Sequence, residues 1–252
     1  MTEQSKVLIC IPAYNEEANL TKTLEGIDRL PDRIRFGLVV VDDGSSDGTR
    51  AICERRGVAV ISHVYNLGYG AALKTGYKYA VDMGYDYIIQ MDADGQHDPQ
   101  CVDSIMRALS SPESPDIVIG SRFMRGSSPY IVPRYKMLTI MFFTFLVSVG
   151  TGKRIQDPTS GLQGLSRRVF ALYAQYDRFA LDFPDANMIV QMVLGGYKVM
   201  EIPAIMHPRL VGMSMHTGLF KKLRYVVEMT ISVLIIYLRE GLNARKAREK
   251  SA

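Results

Sequence analysis

A chain of 252 residues, 47% of them hydrophobic and 22% charged, is long enough to bury a core without staples and too apolar to remain disordered. Cys10, Cys53 and Cys101 lie far apart and never form a Cys-x-x-Cys pair, which excludes a disulfide framework and a structural zinc site and suits a reducing compartment. The net charge is +4, yet residues 219–252 hold eight Lys/Arg against three Glu, so the basicity belongs to the tail; with no recognition helix, finger or RNA-sheet motif, a nucleic-acid partner is not expected.

Before Asn15-Glu16-Glu17 the apolar run is too short for a signal peptide, so a cytoplasmic location is expected. Val7–Ile11 reads as a strand ending at Pro12, followed by a helix that Asn15 caps, with Glu16 and Glu17 in its first turn and Leu20, Leu24 and Ile27 on one face. Phe36–Val41 is a second buried strand, ending in Asp42-Asp43-Gly44 and leading to a helix that Ser46 or Asp47 caps. Val58–Ser62 is a third strand, Gly70–Val81 a helix, and Tyr87–Met91 a fourth strand running into Asp92-Ala93-Asp94. A helix follows Pro99, then a strand at Asp116–Ile119; the second half is less regular. Near-continuous apolar strands separated by helices imply a mostly parallel sheet covered on both faces, with ligands at the carboxyl ends of its strands.

Two further apolar stretches, Met137–Val149 and Tyr225–Leu238, are thirteen and fourteen residues long. Crossing a membrane takes about 20 mostly apolar residues, so both read as buried or interfacial helices. The second is preceded by Lys221, Lys222 and Arg224 and followed by Arg239, Arg245, Lys246, Arg248 and Lys250. That arrangement suits a helix lying on an anionic leaflet, where each basic residue contributes about 1 kcal/mol; the alternative is a core or oligomer helix with a solvated basic end. The chain divides on this reading into a catalytic unit, residues 1–218, and a basic amphipathic helix and tail, residues 219–252.

Asp92-Ala93-Asp94 carries the clearest chemistry. Two carboxylates after a strand suit Mg²⁺ or Mn²⁺, which bind one or two carboxylates together with substrate phosphates. At an effective dielectric near 20, like unit charges about 4 Å apart repel by about 4 kcal/mol, so a diphosphate needs a bridging divalent cation there. An isolated Asp-x-Asp would as readily cap the helix after Pro99.

It is not isolated: Ile11-Pro12-Ala13-Tyr14-Asn15-Glu16-Glu17, Val41-Asp42-Asp43-Gly44-Ser45-Ser46-Asp47-Gly48-Thr49 and Asn66-Leu67-Gly68-Tyr69-Gly70-Ala71-Ala72 end the first three strands. Together the four blocks resemble the family 2 glycosyltransferases with the GT-A nucleotide-sugar-binding fold, most closely the polyprenyl-phosphate hexose synthases, over about residues 6–218. The resemblance implies that Pro12, Tyr14 and Glu16 line a nucleotide pocket, that Val41 and Asp43 contact the base, and that Asp92, Ala93, Asp94 and Gln96 form the metal and diphosphate segment, with Asp94 the main ligand. A carboxylate at position 43 would accept from uracil or guanine alike, so UDP- and GDP-sugars both stay open.

By the same resemblance Arg122 and Arg209 neutralise donor phosphate. Asp157, in Asp157-Pro158-Thr159-Ser160-Gly161-Leu162-Gln163, borders the acceptor as a candidate catalytic or acceptor-orienting residue, although Leu162 and Gln163 replace a family Phe and Arg. Met215 stands where the family often has Lys, with His216 or Lys221 as substitutes. Asp182 and Asp185 occupy the place of a catalytic carboxylate in relatives that act on sugar hydroxyls, and Asp185 reads equally as a helix cap. His97 reads as a supporting or surface residue.

The expected protein is a metal-dependent, inverting hexosyltransferase acting on a polyprenyl phosphate, peripheral on the inner face of the membrane, with a small membrane-protein partner as a further option. One rival uses a glycan hydroxyl with Asp185 or Asp182 as base. The other is a non-catalytic nucleotide-sugar-binding subunit, whose mark would be an eroded Asp-x-Asp.

Overall fold

The computed structural model describes residues 5–31, 36–128, 132–175, 179–181, 183–208 and 219–251. Strands β1 (Val7–Ala13), β2 (Phe36–Asp42), β3 (Ala59–Ser62) and β4 (Tyr87–Gln90) are the apolar runs of the first half, each followed by a helix: α1 (Glu17–Asp28), α2 (Thr49–Arg55), α3 (Tyr69–Asp82) and α4 (Cys101–Leu109). The sheet order is β3-β2-β1-β4-β6-β5-β7, completed by β5 (Ile117–Ser121), β6 (Gln163–Ser166) and β7 (Val199–Pro203). β6 alone runs antiparallel to its neighbours, so six carboxyl ends share one edge.

Alternation along the strands fills two cores. Leu8 and Cys10 face a core shared with α3, α5 (Arg134–Thr151), α6 (Arg167–Gln175), α7 (Ala186–Leu194) and α8 (Leu219–Ser251), while Val7, Ile9 and Ile11 face one shared with α1, α2 and α4. The three cysteines are buried and unpaired.

Three expectations change. β1 runs through Pro12 to Ala13, because the missing N–H falls beyond Cys10–Gln90, the last β1–β4 pair. Asn15 does not cap α1: Glu16 holds the cap position, and the Asn15 carboxamide, at φ 53°, accepts from Ser46 N instead. β6 and β7 were hidden, the first as a short Gln-Gly-Leu-Ser segment in which Gly164 admits Ile105 and Leu109, the second as a half-buried edge strand.

Helix α5 buries only Ile140, Phe143 and Val147, one narrow stripe, and turns Leu138, Met141, Phe142, Phe145 and Val149 outward. Helix α8 places Met229, Val233 and Ile236 in the core and leaves Leu223, Val227, Ile231, Leu234, Ile235 and Leu238 exposed. No helix among the described residues is long and apolar enough to cross a membrane.

Candidate active site

The first two strand ends are fastened to each other. Backbone N–H groups of Asn15, Glu16 and Glu17 donate to Ser45 Oγ, Thr49 Oγ1 and Asp47 Oδ2, and Gly48 N donates back to the Glu17 carboxylate. Asp42 closes an Asx turn on Ser45 N, and Asp47, rather than Ser46, receives Thr49 N at the start of α2. Above this frame Tyr14 is 46% exposed. Pro12 is buried beside Val41, its β2 partner, and Glu16 is half-buried with its carboxylate on Asn19 Nδ2. The Val41 side chain lies entirely in the core, so it has no route to a base; the expected contact is limited to its main chain.

Asp43 is buried and supports the next loop. Its Oδ1 accepts from Leu67 N and lies 2.6 Å from His63 Nδ1, while Oδ2 accepts from Gly68 N. His63 also meets Thr75 Oγ1 on α3. Asp43 therefore fixes the loop that leads into α3, with at most one acceptor site left for a base. His63 is the partner that sequence reasoning missed; nothing in its local spacing reveals it.

After β4 the burial alternates: Met91 and Ala93 are buried, whereas Asp92 and Asp94 are partly open, so both carboxylates leave the open side of the segment. Neither caps α4, whose first turn is served by Asp98 through Gln100 N. Asp92 Oδ1 accepts from Tyr69 OH at 2.9 Å, Asp94 Oδ1 accepts from Gln96 N at 3.0 Å, and the Ala93 carbonyl receives Thr23 Oγ1. Gly161 passes so close behind Asp92 that a Cβ there would stand 2.6 Å from Oδ2. His97 is buried, not a surface residue; its Nδ1 accepts from Asp92 N at 3.3 Å, and burial lowers its pKa. Among the described residues no three His, Cys, Asp or Glu side chains converge as a ligand set. An all-protein cage is thus absent there, and the oxygen-only donors of Asp92 and Asp94 fit a hard cation whose remaining positions go to water and diphosphate.

Gln96 is tied to the segment after β7: His207 N donates to its carbonyl, and its Nε2 reaches the His207 carbonyl at 3.5 Å. A bridge between His97 and Met206 and a His207–Asp98 pair at 2.8 Å complete this seam. Its position gives Gln96 a clear part in orienting Asp94 through its N–H.

At the end of β5, Arg122 is clamped. Its Nε and Nη2 donate to Asp157 Oδ2 and Oδ1 at 2.7 and 2.6 Å, its backbone N to Oδ2, and Nη2 also to Thr159. The pair is almost dry, at 7% and 0% side-chain exposure. Both carboxylate oxygens of Asp157 are thereby engaged, which makes it the residue that aims Arg122. Glu201 on β7 holds the Gln156 and Asp157 N–H groups in turn, and burial raises its pKa.

Lys136, in the first turn of α5, is half-buried and was not singled out from the sequence. Burial, helped by Arg122, lowers its pKa, while Tyr135, Asp157 and Asp94 act in the opposite sense. The only signal was a lysine opening an apolar run.

Asp185 stands at the cap position of α7 without capping it; Asn187 Oδ1 takes that part, receiving Met188 N. The Asp185 carboxylate instead accepts from Tyr225 OH of α8 at 2.9 Å. Burial pushes its pKa up to about 6; the Tyr225 bond opposes this, Asp92 and Asp157 add to it, and Arg122 offsets part. The structure therefore gathers Asp92, Asp94, Arg122, Lys136, Asp157 and Asp185 at one sheet edge. Asp182, Arg209 and His216 lie outside the described residues, as does the side chain of Lys221.

The family model for glycosyl transferase family 2 matches residues 8–173. An uncharacterised protein of Methanocaldococcus jannaschii is 34% identical over 203 residues, 79% of this chain and 81% of its own. A polyprenol monophosphomannose synthase of Mycolicibacterium smegmatis is 28% identical, covering 84% of this chain and 82% of its own. Among solved structures, glucosyl-3-phosphoglycerate synthase from Mycobacterium tuberculosis, in complex with Mn²⁺, UDP-glucose and phosphoglyceric acid, superposes with a TM-score of 0.69 at 18% identity, over 92% of this chain and 80% of that one. The sheet with its single reversed strand is the GT-A fold, and this chain belongs to glycosyl transferase family 2.

Proposed function

We propose that this glycosyltransferase moves a hexosyl unit from a UDP- or GDP-linked sugar to a polyprenyl phosphate at the inner face of a membrane. The observation that carries the reading is the position of α5. Its first turn brings Lys136 into the field of Asp94, Arg122 and Asp157, while its outward face is a row of exposed apolar side chains continued by α8. One helix thus offers a cation to a phosphate and an apolar surface to the chain attached to it. The Mycolicibacterium relative, named for a polyprenol monophosphomannose product, supports the same acceptor class.

Asp92 and Asp94 would hold Mg²⁺ or Mn²⁺, which when bound neutralises the departing diphosphate. Arg122, fixed by Asp157, adds a guanidinium that need not reorganise, Lys136 receives the acceptor phosphate, and Arg209 is proposed to contact donor phosphate. The acceptor oxygen attacks the anomeric carbon as the bond to the diphosphate breaks, inverting that centre. A phosphate monoester is already anionic near pH 7, so no base is needed.

The second reading, a glycan hydroxyl acceptor, is favoured by one observation: Asp185, with a pKa near 6, is suited to accept a hydroxyl proton. The test incubates the protein with Mn²⁺ or Mg²⁺, a panel of UDP-, GDP- and TDP-hexoses and a short polyprenyl phosphate, with Asp185→Asn in parallel. Glycolipid and nucleoside diphosphate, formed at near-normal rate by D185N, support the phosphate acceptor. Collapse of D185N favours a hydroxyl acceptor, and no transfer to the lipid by wild type refutes the first reading.

A further inference from the structure

Helix α8 is joined to α7 by a polar seam with a seven-residue spacing. Tyr225, Ser232 and Arg239 meet Asp185, Asn187 and Gln191 at 2.9, 2.9 and 3.3 Å. Seven residues are about two helical turns, so these three side chains share one stripe, and the buried Met229, Val233 and Ile236 lie beside it. A helix held on its protein side by apolar contacts alone could slide or rotate at little cost; three directional bonds fix its register.

The first of those bonds ends on a carboxylate of the site. The Tyr225 ring is locked between Phe183, at 5.0 Å and 81°, and Phe143 of α5, at 5.8 Å and 81°. Such edge-to-face contacts leave the phenol little freedom, so its O–H keeps a fixed direction. Asp185 makes no cap bond to α7 that would orient it otherwise.

We propose that Tyr225 is a positioning residue: through its hydrogen bond it aims the Asp185 carboxylate, so that the C-terminal helix is a working part of the active site and not merely an anchor. The inference builds on the transferase reading of the site; its crystallographic outcome is the same for either acceptor class, while its kinetic outcome scales with what Asp185 contributes to turnover. It has a structural consequence as well as a kinetic one, since the ring that steers Asp185 belongs to α8 and touches Phe143 of α5, the two helices that carry the exposed apolar face.

Tyr225→Phe keeps both ring contacts and removes only the hydroxyl. Crystal structures of wild type and Y225F are expected to show the α7–α8 seam intact at Ser232 and Arg239, with the Asp185 carboxylate turned from its wild-type direction. For whichever donor and acceptor wild type consumes, turnover by Y225F should fall no further than that of D185N, about tenfold where D185N collapses and within twofold where D185N is near wild type, with KM for the sugar nucleotide within twofold in both cases. The Y225F/D185N double variant should be no slower than D185N alone, because both act on one group. Tyr237→Phe removes an equivalent phenol bond, from α8 to the Leu146 carbonyl, and should leave turnover unchanged. The proposal is overturned if Asp185 keeps its place in Y225F, if the two losses multiply in the double variant, if Y225F is slower than D185N, or if Y225F and Y237F lose activity equally where D185N collapses. Wild type inactive on every donor would count against the transferase reading alone, the two crystal structures still deciding this one.

Discussion

The two halves of the sheet edge are built by different means. On the β3-β2-β1-β4 side, backbone groups dominate: N–H donors of residues 15–17, 45, 48, 67 and 68 are spent on short side chains of the neighbouring loops, and Asp43 and Asn15 act as struts. On the β6-β5-β7 side, side chains reach across from distant segments: Arg122 to the Asp157 carboxylate, Glu201 to the Asp157 backbone N–H, Tyr225 to Asp185. A frame of local turns suits a diphosphonucleoside, whose shape is constant. A dry assembly of charges and rings beside an apolar face suits an acceptor that differs between relatives.

The comparison can be broken most sharply at the metal segment. Asp94→Asn is expected to lower transfer by about a thousandfold, with the melting temperature nearly unchanged, as measured by steady-state turnover and calorimetry; a loss under tenfold would move the diphosphate elsewhere. On the other side the cost should fall on stability too. Arg122→Ala leaves Asp157 buried and uncompensated, which costs about 3–5 kcal/mol and lowers the melting temperature by about 10 °C. Equal melting of R122A and wild type would mean that water reaches the pair.

Smaller effects separate acceptor from donor. Lys136→Ala should raise KM for a polyprenyl phosphate about tenfold and leave KM for the sugar nucleotide within twofold; the reverse pattern would assign Lys136 to the donor. Replacing Leu138 and Ile235 by Glu should abolish co-sedimentation with anionic phospholipid vesicles while turnover on a detergent-dispersed acceptor persists; unchanged sedimentation would leave that face to a protein partner. The smallest is a pH effect in metal-free protein. Asp185, with a pKa raised to about 6, binds its proton more tightly folded than unfolded, so its share of stability is present below the ordinary aspartate value and is lost as pH rises to about 6. Relative to D185N, wild type should lose roughly 2 kcal/mol between pH 4 and 6.5, by denaturant titration at each pH. A difference independent of pH would place the carboxylate in water.

The same contrast decides what could be read from the chain. Five parallel strands and the helices between the first four were legible because each is an uninterrupted apolar run with polar punctuation, and Asp92-Ala93-Asp94 was legible because it ends one of them. The antiparallel β6 was not, since a four-residue strand containing Gly164 has no period to detect. His63 and Tyr225 were missed for another reason: each meets a carboxylate, Asp43 or Asp185, that is distant in the chain, and their own neighbours carry no trace of it. At Val41 the side chain belongs to the core, which leaves only the main chain for the contact that the matching position implies.

The claim on which the rest depends is that Asp92 and Asp94 bind the diphosphate only through a divalent cation. Isothermal titration of wild type with UDP and GDP, in Mn²⁺ and again under exhaustive chelation, tests it directly. Binding of one nucleotide that weakens at least a hundredfold on chelation is the predicted result, and equal affinity in both conditions would contradict it.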